Sequence, residues 1–454
     1  MLTMISELNK NSEMDLYVQV YRYFKNHIES GQINANEKIP SIRQLALDLD
    51  LSRTTVENAY NQLLLEGYIY SKSRSGYYAS DIGNAFPSGT FIKSDLTDEP
   101  GLENFNYEYI NEDNFNFNIW KKYYNEVLTY ENLKLLKEGL PQGEYELRKE
   151  IAEYVYRARG VHGNPARMII GAGVQVLLGI LSVLLREMNI ESIAVEEPGF
   201  TDVRHIFKDY YLNIEPVPLT GQGLDIDALE KCGTRVCYVS PTHQYPTGAI
   251  MPVSKRIDLL KWANKVDGYI IEDDYDSELR YSGKPVPSLQ GLDSDDRVIY
   301  LGSFSTLLIP SIRISYLILP ERFYTVYMRN RHKYRQTVSK TEQLVLALYI
   351  KEGEFEKHLR RIRKKYSARH NLFKQLIESR SLPKLKPESS GSGVYIPLRF
   401  DSSVNVPETV KRLNTAGFRV RHISGRLAVF NFACLPDNKL SEAVDKLESI
   451  LSNI

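Results

Sequence analysis

The sequence predicts an α/β protein in which a small helical domain precedes a larger domain built on a mostly parallel sheet. At 454 residues the chain is too long for one ordinary domain. Helical periodicity dominates the start, whereas later apolar runs alternate with helical patterns, as in strand-helix repeats. Periodicity fades between the two regions. We therefore predict a first domain at 14–80, a linker at 81–115, a large domain at 116–350 and a small α+β lobe at 351–454.

Composition excludes several classes of protein. The hydrophobic content of 43% and the absence of a long apolar run are typical of a soluble protein without a membrane span. The first residues lack the features of a secretory signal, so we expect a cytoplasmic protein. Cys232, Cys237 and Cys434 have no metal-ligand spacing, which argues against structural zinc and against a disulfide framework. The 57 basic and 57 acidic residues cancel, so any DNA site must be local.

The first domain reads as three helices followed by a β-hairpin. Apolar residues recur at helical spacing from Asp15 to about Ser30. Pro40 and Ser41 are suited to start the second helix, Ser52 is suited to cap the third, and Gly67 is suited to end it. Two Tyr-rich alternating runs then flank a basic turn. Three helices and a hairpin together predict a winged helix-turn-helix.

A recognition helix needs short polar and basic residues at its N-terminal end, where they meet bases and phosphates. The candidates on the third helix are Ser52, Arg53, Thr54, Thr55 and Asn58. Arg43 is placed to reach a phosphate or a guanine edge, and Lys72 and Arg74 on the wing are placed for the minor groove. A protein-binding winged helix is the alternative, because residues 15–80 hold seven basic and seven acidic residues. The clustering of the basic residues on the DNA-facing elements favours DNA.

Two known families resemble this chain. The segment KIPSIRQLALDLDLSRTTVENAYNQLLLEGYIYSKSRSGYYAS resembles the GntR family of bacterial regulators. From about residue 116 the chain resembles fold-type I aminotransferases, on the landmarks LPQGEYELR, IIGAGVQ, EEPGF, SPTHQYPTG, IIEDDYDSE and LGSFSTLLIPSIRISYLILP. The order of the two domains resembles the MocR subfamily. This resemblance implies a homodimer that binds a double-stranded DNA operator and responds to a small-molecule effector.

The resemblance also implies a pyridoxal phosphate cleft. Positions that hold the phosphate in the family are occupied here by Gly173, Val174, Gln175, Ser303, Ser305 and Arg313. Positions around the ring are occupied by Phe200 (stacking), His243 (facing loop), Asp273 (ring nitrogen) and Tyr275 (ring hydroxyl). Taken singly, Asp273 or Phe200 is more often a packed strand end or a core aromatic. Together they preserve the outline of the cleft.

Four positions depart from the family pattern. The lysine that forms the Schiff base lies in an SFSK motif, but this chain reads SFST with Thr306 there, and a hydroxyl cannot form an imine. Val174 replaces a hydroxyl residue of the phosphate loop. In the effector pocket, Asp202 and Cys434 stand where carboxylate-binding arginines are found in the family. We therefore expect pyridoxal phosphate to bind only non-covalently, if it binds, and we expect no metal.

These observations favour a transcriptional regulator whose aminotransferase-like domain serves dimerisation and effector sensing without transaminase activity. The alternative is a pyridoxal-phosphate-dependent enzyme of the aminotransferase class with an accessory DNA-binding domain. It requires a catalytic amine that the SFST motif lacks. A third hypothesis is a vestigial cleft in a dimer that only spaces two DNA-binding domains.

Overall fold

The computed structural model describes residues 14–82, 115–129, 133–281, 286–380, 382–388, 391–416, 418, 420–433 and 437–452. The chain divides into two compact units, Met1–Asn104 and Phe105–Ile454. Most of the predicted linker, as well as Cys434, lies outside the described residues.

The N-terminal unit contains three helices and a small antiparallel sheet. The helices are α1 (Leu16–Glu29), α2 (Ile42–Asp48) and α3 (Arg53–Leu65). The strands β1 (Lys38–Ile39), β2 (Ile69–Lys72) and β3 (Gly76–Ala79) pair in the order β1-β3-β2. The predicted winged helix-turn-helix is therefore confirmed, with a short first strand added to the hairpin.

Serine side chains cap both helices of the helix-turn-helix. The cap at Ser52 is the predicted one, and Ser41 lies at the predicted start of α2. The hydroxyl of Ser41 accepts a hydrogen bond from the backbone N–H of Gln44 at 3.2 Å, and that of Ser52 accepts one from Thr55 at 3.0 Å. Each cap satisfies a backbone donor that the first helical turn leaves unpaired. The buried Tyr60 of α3 then donates from its hydroxyl to the carbonyl oxygen of Pro40 at 3.0 Å, which ties α3 to the start of α2.

The C-terminal unit is built on an eight-stranded sheet of order β4-β11-β10-β9-β8-β5-β6-β7. Its strands are β4 (Met168–Gly171), β5 (Ser192–Glu197), β6 (Asn213–Thr220), β7 (Gly223–Leu224), β8 (Val236–Val239), β9 (Tyr269–Asp274), β10 (Val298–Ser303) and β11 (Ser315–Ile318). The five strands from β10 to β6 are parallel, whereas β11 runs antiparallel to both β10 and β4. The sheet is therefore mixed, with the predicted parallel core.

Helices cover both faces of this sheet. They are α4 (Phe117–Val127), α5 (Tyr145–Arg159), α6 (Val174–Glu187), α7 (Thr201–Asp209), α8 (Ile226–Lys231), α9 (Val253–Lys265), α10 (Glu321–Asn330) and α11 (Lys340–Lys351). The successive residues Ile270 and Ile271 of β9 are both fully buried but pack in different apolar clusters, because neighbouring side chains of a strand point to opposite faces. Burial on both faces explains why these strands are continuously apolar.

A second, antiparallel sheet forms the C-terminal lobe, in agreement with the predicted α+β character. Its strands are β12 (Leu385–Pro387), β13 (Tyr395–Phe400), β14 (Val420–Ser424) and β15 (Leu427–Asn431), in the order β12-β13-β15-β14. The lobe also contains the long helix α12 (Glu354–Ser379) with α13 (Val406–Thr415) and α14 (Asp437–Ser452). Since the parallel strands of the large sheet end at one edge, their polar carboxyl-terminal residues converge there.

Candidate functional site

The candidate DNA-contacting residues of the helix-turn-helix lie on its surface. Arg43 on α2 is exposed, as are Ser52, Arg53, Thr54 and Asn58 at the start of α3. Thr55 is half-buried, and its hydroxyl lies 2.7 Å from that of Ser52.

Among the described residues, neither Arg43 nor Arg53 forms a side-chain hydrogen bond or an ion pair. Both side chains are exposed within the part of the chain that the structure describes.

The wing presents two cations on a hairpin stiffened by tyrosines. Lys72 Nζ lies 4.7 Å from the ring centroid of Tyr78 and 5.5 Å from that of Tyr70. The two rings are stacked with centroids 5.8 Å apart. Arg74 occupies the turn with a positive φ of 59° and is exposed. A basic tip in this place is suited to the backbone of a nucleic acid.

The register of the large sheet brings three elements of the candidate phosphate subsite together. Ser315 of β11 pairs with Gly171 of β4, so Arg313, two residues before Ser315, lies opposite Gly173, two residues after Gly171. Gly173 caps α6 with φ +91°, and a Cβ built there would lie 2.5 Å from a guanidinium nitrogen of Arg313. The half-buried Val174 and the exposed Gln175 then supply backbone N–H groups at the helix start. A cation beside a helix N-terminus is suited to an anion.

The loop after β10 adds hydroxyl groups to this subsite. The backbone N–H of Phe304 donates to the carbonyl oxygen of Ile314 at 2.9 Å, and Ser305 and Arg313 flank that bond. The hydroxyl of Ser303 accepts from the hydroxyl of Ser315 at 3.0 Å and from the N–H of Ser305 at 3.3 Å, which leaves its own proton to donate. The buried hydroxyl of Ser305 has no hydrogen-bond partner among the described residues. A bound phosphate oxygen would satisfy it.

Asp273, at the carboxyl end of β9, is the candidate partner of the ring nitrogen. It is buried, and the hydroxyl of Tyr238 on β8 donates a hydrogen bond to its carboxylate. Burial, partly offset by this hydrogen bond from Tyr238, raises the pKa of Asp273 to about 7. A cationic ring nitrogen beside it would favour the carboxylate form.

Sequence reasoning did not identify Tyr238 or the neighbouring Glu196 as parts of this site. Glu196 is buried on β5, and its Oε2 accepts from the backbone N–H of Ser240 at 3.2 Å and from Gln244 Nε2 at 3.3 Å. Burial raises the pKa of Glu196 to about 8, and the nearby Asp273 carboxylate adds to the rise. The available signal was a charged residue inside the apolar run SIAVEE.

Tyr275 and His243 form one connected group. The hydroxyl of Tyr275 lies 3.0 Å from Nδ1 of His243, and the same nitrogen lies 2.8 Å from both carboxylate oxygens of Asp276. His243 and Asp276 are buried, and Tyr275 is half-buried. The Asp276 carboxylate thus fixes the imidazole beside the Tyr275 hydroxyl.

Phe200 stacks on a protein side chain. Its ring lies parallel to that of Tyr245, with centroids 4.3 Å apart, and meets Tyr275 edge-on at 5.1 Å. These contacts place Phe200 beside Tyr275.

Thr306 is half-buried and directly follows Ser305. The next carbonyl oxygen, that of Leu307, lies 2.8 Å from Nε2 of the buried His358, which anchors this loop to α12. Burial lowers the pKa of His358 to about 4, so the ring is neutral and donates to the carbonyl. Residues 286–332 contain no lysine.

Asp202, in the first turn of α7, is exposed, and its carboxylate lies 3.4 Å from a guanidinium nitrogen of Arg421 on β14. Cys434, the other predicted pocket residue, lies outside the described residues. Sequence reasoning also missed Arg421, because its partner is 219 positions away in the chain.

The residues of this cleft fit the phosphate and the ring of pyridoxal phosphate. The unpartnered Ser305 hydroxyl and the Arg313 guanidinium beside Gly173 match an anion, and Asp273 matches a cationic nitrogen. Within the described ranges, no group of three His, Cys, Asp or Glu residues is arranged to bind a metal ion. Nor does any helix in those ranges have the length and apolarity needed to span a membrane.

Two family models match this chain, one over the N-terminal unit and one over the C-terminal unit. Residues 16–78 match the model of bacterial regulatory proteins of the gntR family. Residues 111–447 match the model of aminotransferases of class I and II. The second match covers most of the chain and contains the whole candidate cleft.

Two similar proteins align with this chain over nearly the full length of both sequences. The chain is 39% identical to the helix-turn-helix transcriptional regulator YdeL of Bacillus subtilis, over 97% of this chain and 98% of YdeL. It is 28% identical to the probable rhizopine catabolism regulatory protein MocR of Rhizobium meliloti, over 97% and 95%. Among solved structures, the multiple substrate aminotransferase of Thermococcus profundus superposes with a TM-score of 0.69 at 23% identity, over 77% of this chain and 91% of that one. This structural likeness shows the fold alone.

Proposed function

Because the chain belongs to the MocR-type helix-turn-helix transcriptional regulators, in which a GntR domain precedes an aminotransferase class I and II domain, we propose that its aminotransferase-like unit senses an effector without transaminase activity. The winged helix-turn-helix is the DNA-binding part of this regulator. The sensing unit provides the pocket whose occupancy changes DNA binding.

The observation that carries this proposal is Thr306. Transamination requires an amine that bonds the cofactor and then moves a proton between substrate and cofactor atoms. A threonine hydroxyl forms no imine and does not act as a base near neutral pH. The remaining cleft is intact in outline, so the loss of the amine removes catalysis while leaving recognition.

The residues of the cleft have separable roles in recognition. Pyridoxal phosphate, when bound, supplies an anionic phosphate and a reactive aldehyde on an aromatic ring. Arg313 and Ser305 would hold its phosphate together with the start of α6, Asp273 would keep the ring nitrogen protonated, and Tyr275 would donate to the ring hydroxyl. All of these contacts would be non-covalent, so the residues would hold the group reversibly.

The DNA-binding unit acts through the N-terminal end of α3, with Arg53 reading a base or holding a phosphate and Arg43 beside it. Lys72 and Arg74 on the wing contact the flanking backbone or minor groove. The proposed active form is a cytoplasmic homodimer, in which two winged helices read two half-sites of one operator.

The test uses the full-length protein and its own promoter region. We expect a gel-shift complex that a metabolite strengthens or weakens, and no transfer of an amino group in an assay containing pyridoxal phosphate, an amino acid and a keto acid. Turnover above a heat-inactivated control would instead favour the aminotransferase reading. DNA binding that no metabolite changes, together with unchanged melting temperatures, would favour a vestigial cleft.

A further inference from the structure

A cavity opens at the amino-terminal edge of the large sheet, away from the candidate cofactor cleft. Its lining includes Arg235, which directly precedes β8, and Tyr269, the first residue of β9. Because β8 and β9 are parallel and Asp273 of the cleft lies at the carboxyl end of β9, the cavity and the cleft occupy opposite edges of this sheet. The cavity encloses about 410 Å³, which is within the range of about 300 to 1,000 Å³ typical of small-molecule sites.

Three arginine side chains, those of Arg235, Arg322 and Arg329, line this cavity. Arg329 is exposed on α10, and its guanidinium has no hydrogen bond or ion pair among the described residues. Arg235 is also exposed, and its Nη2 donates to the backbone carbonyl oxygen of Asn189 at 3.2 Å. That oxygen carries no formal charge, so it satisfies a donor of Arg235 without neutralising the cation.

The two acidic residues of the cavity face arginines of their own. Oδ1 of Asp267 lies 2.6 Å from a guanidinium nitrogen of Arg297 and 3.2 Å from one of Arg322, so a single carboxylate serves two cations. The carboxylate of Glu321 lies 3.8 Å from a guanidinium nitrogen of Arg167. Within the described ranges, the charges of the other two arginines of the cavity therefore have no acidic partner.

Apolar side chains form another part of the lining. Met188 and Ile190 lie between α6 and β5, and Val326 lies on α10. Inorganic phosphate would leave these side chains exposed to water, whereas a ligand with a hydrocarbon body would bury them. Guanidinium groups bind carboxylates with two parallel hydrogen bonds, so the cationic part of the lining suits an acid group.

We propose that this cavity is a second small-molecule site, which binds an organic acid with a hydrocarbon body. The carboxylate contacts Arg329, with Arg235 as a second cation in the same cavity, and the hydrocarbon body packs on Met188 and Val326. The inference goes beyond the proposed function, because it requires neither an occupied cofactor cleft nor a sensing role.

The experiment measures binding of four probes to the full-length protein without DNA, by isothermal titration calorimetry. The probes are hexanoate, butanoate, hexanamide and inorganic phosphate. Hexanoate should bind to one site per chain and more tightly than hexanamide, which lacks the charge, or phosphate, which lacks the hydrocarbon. It should also bind about 3- to 15-fold more tightly than butanoate, because two further CH₂ groups leave water.

Variants of the two arginines test the assignment of the acid group. Arg329→Gln and Arg235→Gln should each weaken binding of hexanoate by about 3- to 10-fold, because each removes one charged donor that water partly screens. The double variant should lose more than either single variant, and Arg329→Lys should retain part of the affinity. Binding of hexanamide should not change in any of them.

Arg186→Gln is the matched control, because Arg186 is exposed on α6 and donates to the backbone carbonyl oxygen of Tyr211 at 2.9 Å but does not line the cavity. It should leave binding of hexanoate unchanged. The proposal is overturned if hexanamide binds as tightly as hexanoate, if the double variant binds hexanoate like wild type, or if Arg186→Gln weakens binding as much as Arg235→Gln does. It is also overturned if the double variant has a lower melting temperature without ligand, since the arginines would then support the fold instead of the acid.

Discussion

The backbone of Gly173 and the guanidinium of Arg313 approach so closely that a Cβ at Gly173 would lie 2.5 Å from a guanidinium nitrogen. A side chain at Gly173 would therefore displace the guanidinium, which is the flexible end of Arg313. The φ of +91° at Gly173 favours glycine, because side chains disfavour that conformation. A helix start without a Cβ and with a cation above it is a place where an anion approaches backbone N–H groups directly.

Arg313→Gln should therefore weaken binding of pyridoxal phosphate by about 10- to 100-fold, because it removes one charge-assisted hydrogen bond to the phosphate. Binding of pyridoxal, which lacks the phosphate, should not change. Fluorescence titration of both compounds measures the difference, and Gly173→Ala should reproduce it by displacing the guanidinium. Arg329→Gln, an exposed arginine on α10, is the control. Equal losses for the two compounds would contradict an anion site here.

Thr306→Lys should create a covalent link to pyridoxal phosphate that, on the proposed function, the wild-type protein does not form. The lysine would stand directly after Ser305, between the phosphate subsite and the Leu307 carbonyl that His358 anchors. After incubation with pyridoxal phosphate and borohydride, mass spectrometry should find the cofactor fixed to the introduced lysine. The wild-type protein and Thr306→Ala should carry none on the corresponding peptide. A cofactor fixed to any cleft lysine of the wild-type protein would refute the non-covalent assignment.

The helices of the N-terminal unit were predictable from the sequence, because α2 and α3 begin after serines whose side chains can cap a helix. Ser52 caps α3 as the sequence predicts, and Ser41 caps α2 at its predicted start. Strand β1, by contrast, has only two residues and no periodicity, and it forms because Ile39 pairs with Tyr77 of β3. Pairing with a partner far along the chain determines such a strand.

The candidate cleft was predictable where a resemblance supplied positions and unpredictable where only spatial neighbours matter. Asp273, Ser305 and Arg313 were named from sequence, whereas Tyr238 and Arg421 were not. The hydroxyl of Tyr238 reaches Asp273 only because β8 and β9 are adjacent. Arg421 meets Asp202 only because two separate sheets come together. Neither contact leaves a local pattern.

Glu196→Gln should make stability less dependent on pH. The folded protein raises the pKa of Glu196 to about 8, above the ordinary value of 4.5, so the folded state retains a proton that the unfolded chain releases. This difference in pKa lowers the free energy of unfolding of the wild-type protein. The loss of stability is absent below pH 4.5, grows between pH 4.5 and 8, and is complete above pH 8. Since one pKa unit corresponds to about 1.4 kcal/mol, the variant should gain on the order of several kcal/mol relative to wild type on going from pH 5 to pH 9.

Denaturant unfolding at pH 5, 7 and 9 measures this difference. Comparing the free energy of unfolding between pH values cancels any pH-independent cost of the Glu196→Gln substitution itself. Such a cost would arise if the new amide replaced Oε1, an atom that has no hydrogen-bond partner among the described residues. Glu197→Gln is the control, because Glu197 is adjacent in sequence but exposed, and its variant should show no such trend. A pH-independent effect of Glu196→Gln would mean that Glu196 is ionised in the folded protein throughout this range.

Arg53→Ala should weaken operator binding, because the exposed guanidinium stands at the N-terminal end of the recognition helix without a partner among the described residues. If it reads a base, the loss should be about 1 to 3 kcal/mol and specific to one position of the operator. If it holds a phosphate, the loss should be smaller, equal on all sequences, and accompanied by a shallower dependence on salt. Gel-shift titrations at two salt concentrations separate the two roles. The control is Arg22→Ala, which removes an exposed arginine of α1 and should change neither affinity nor salt dependence. If Arg53→Ala also changes neither quantity, Arg53 is not part of the DNA interface.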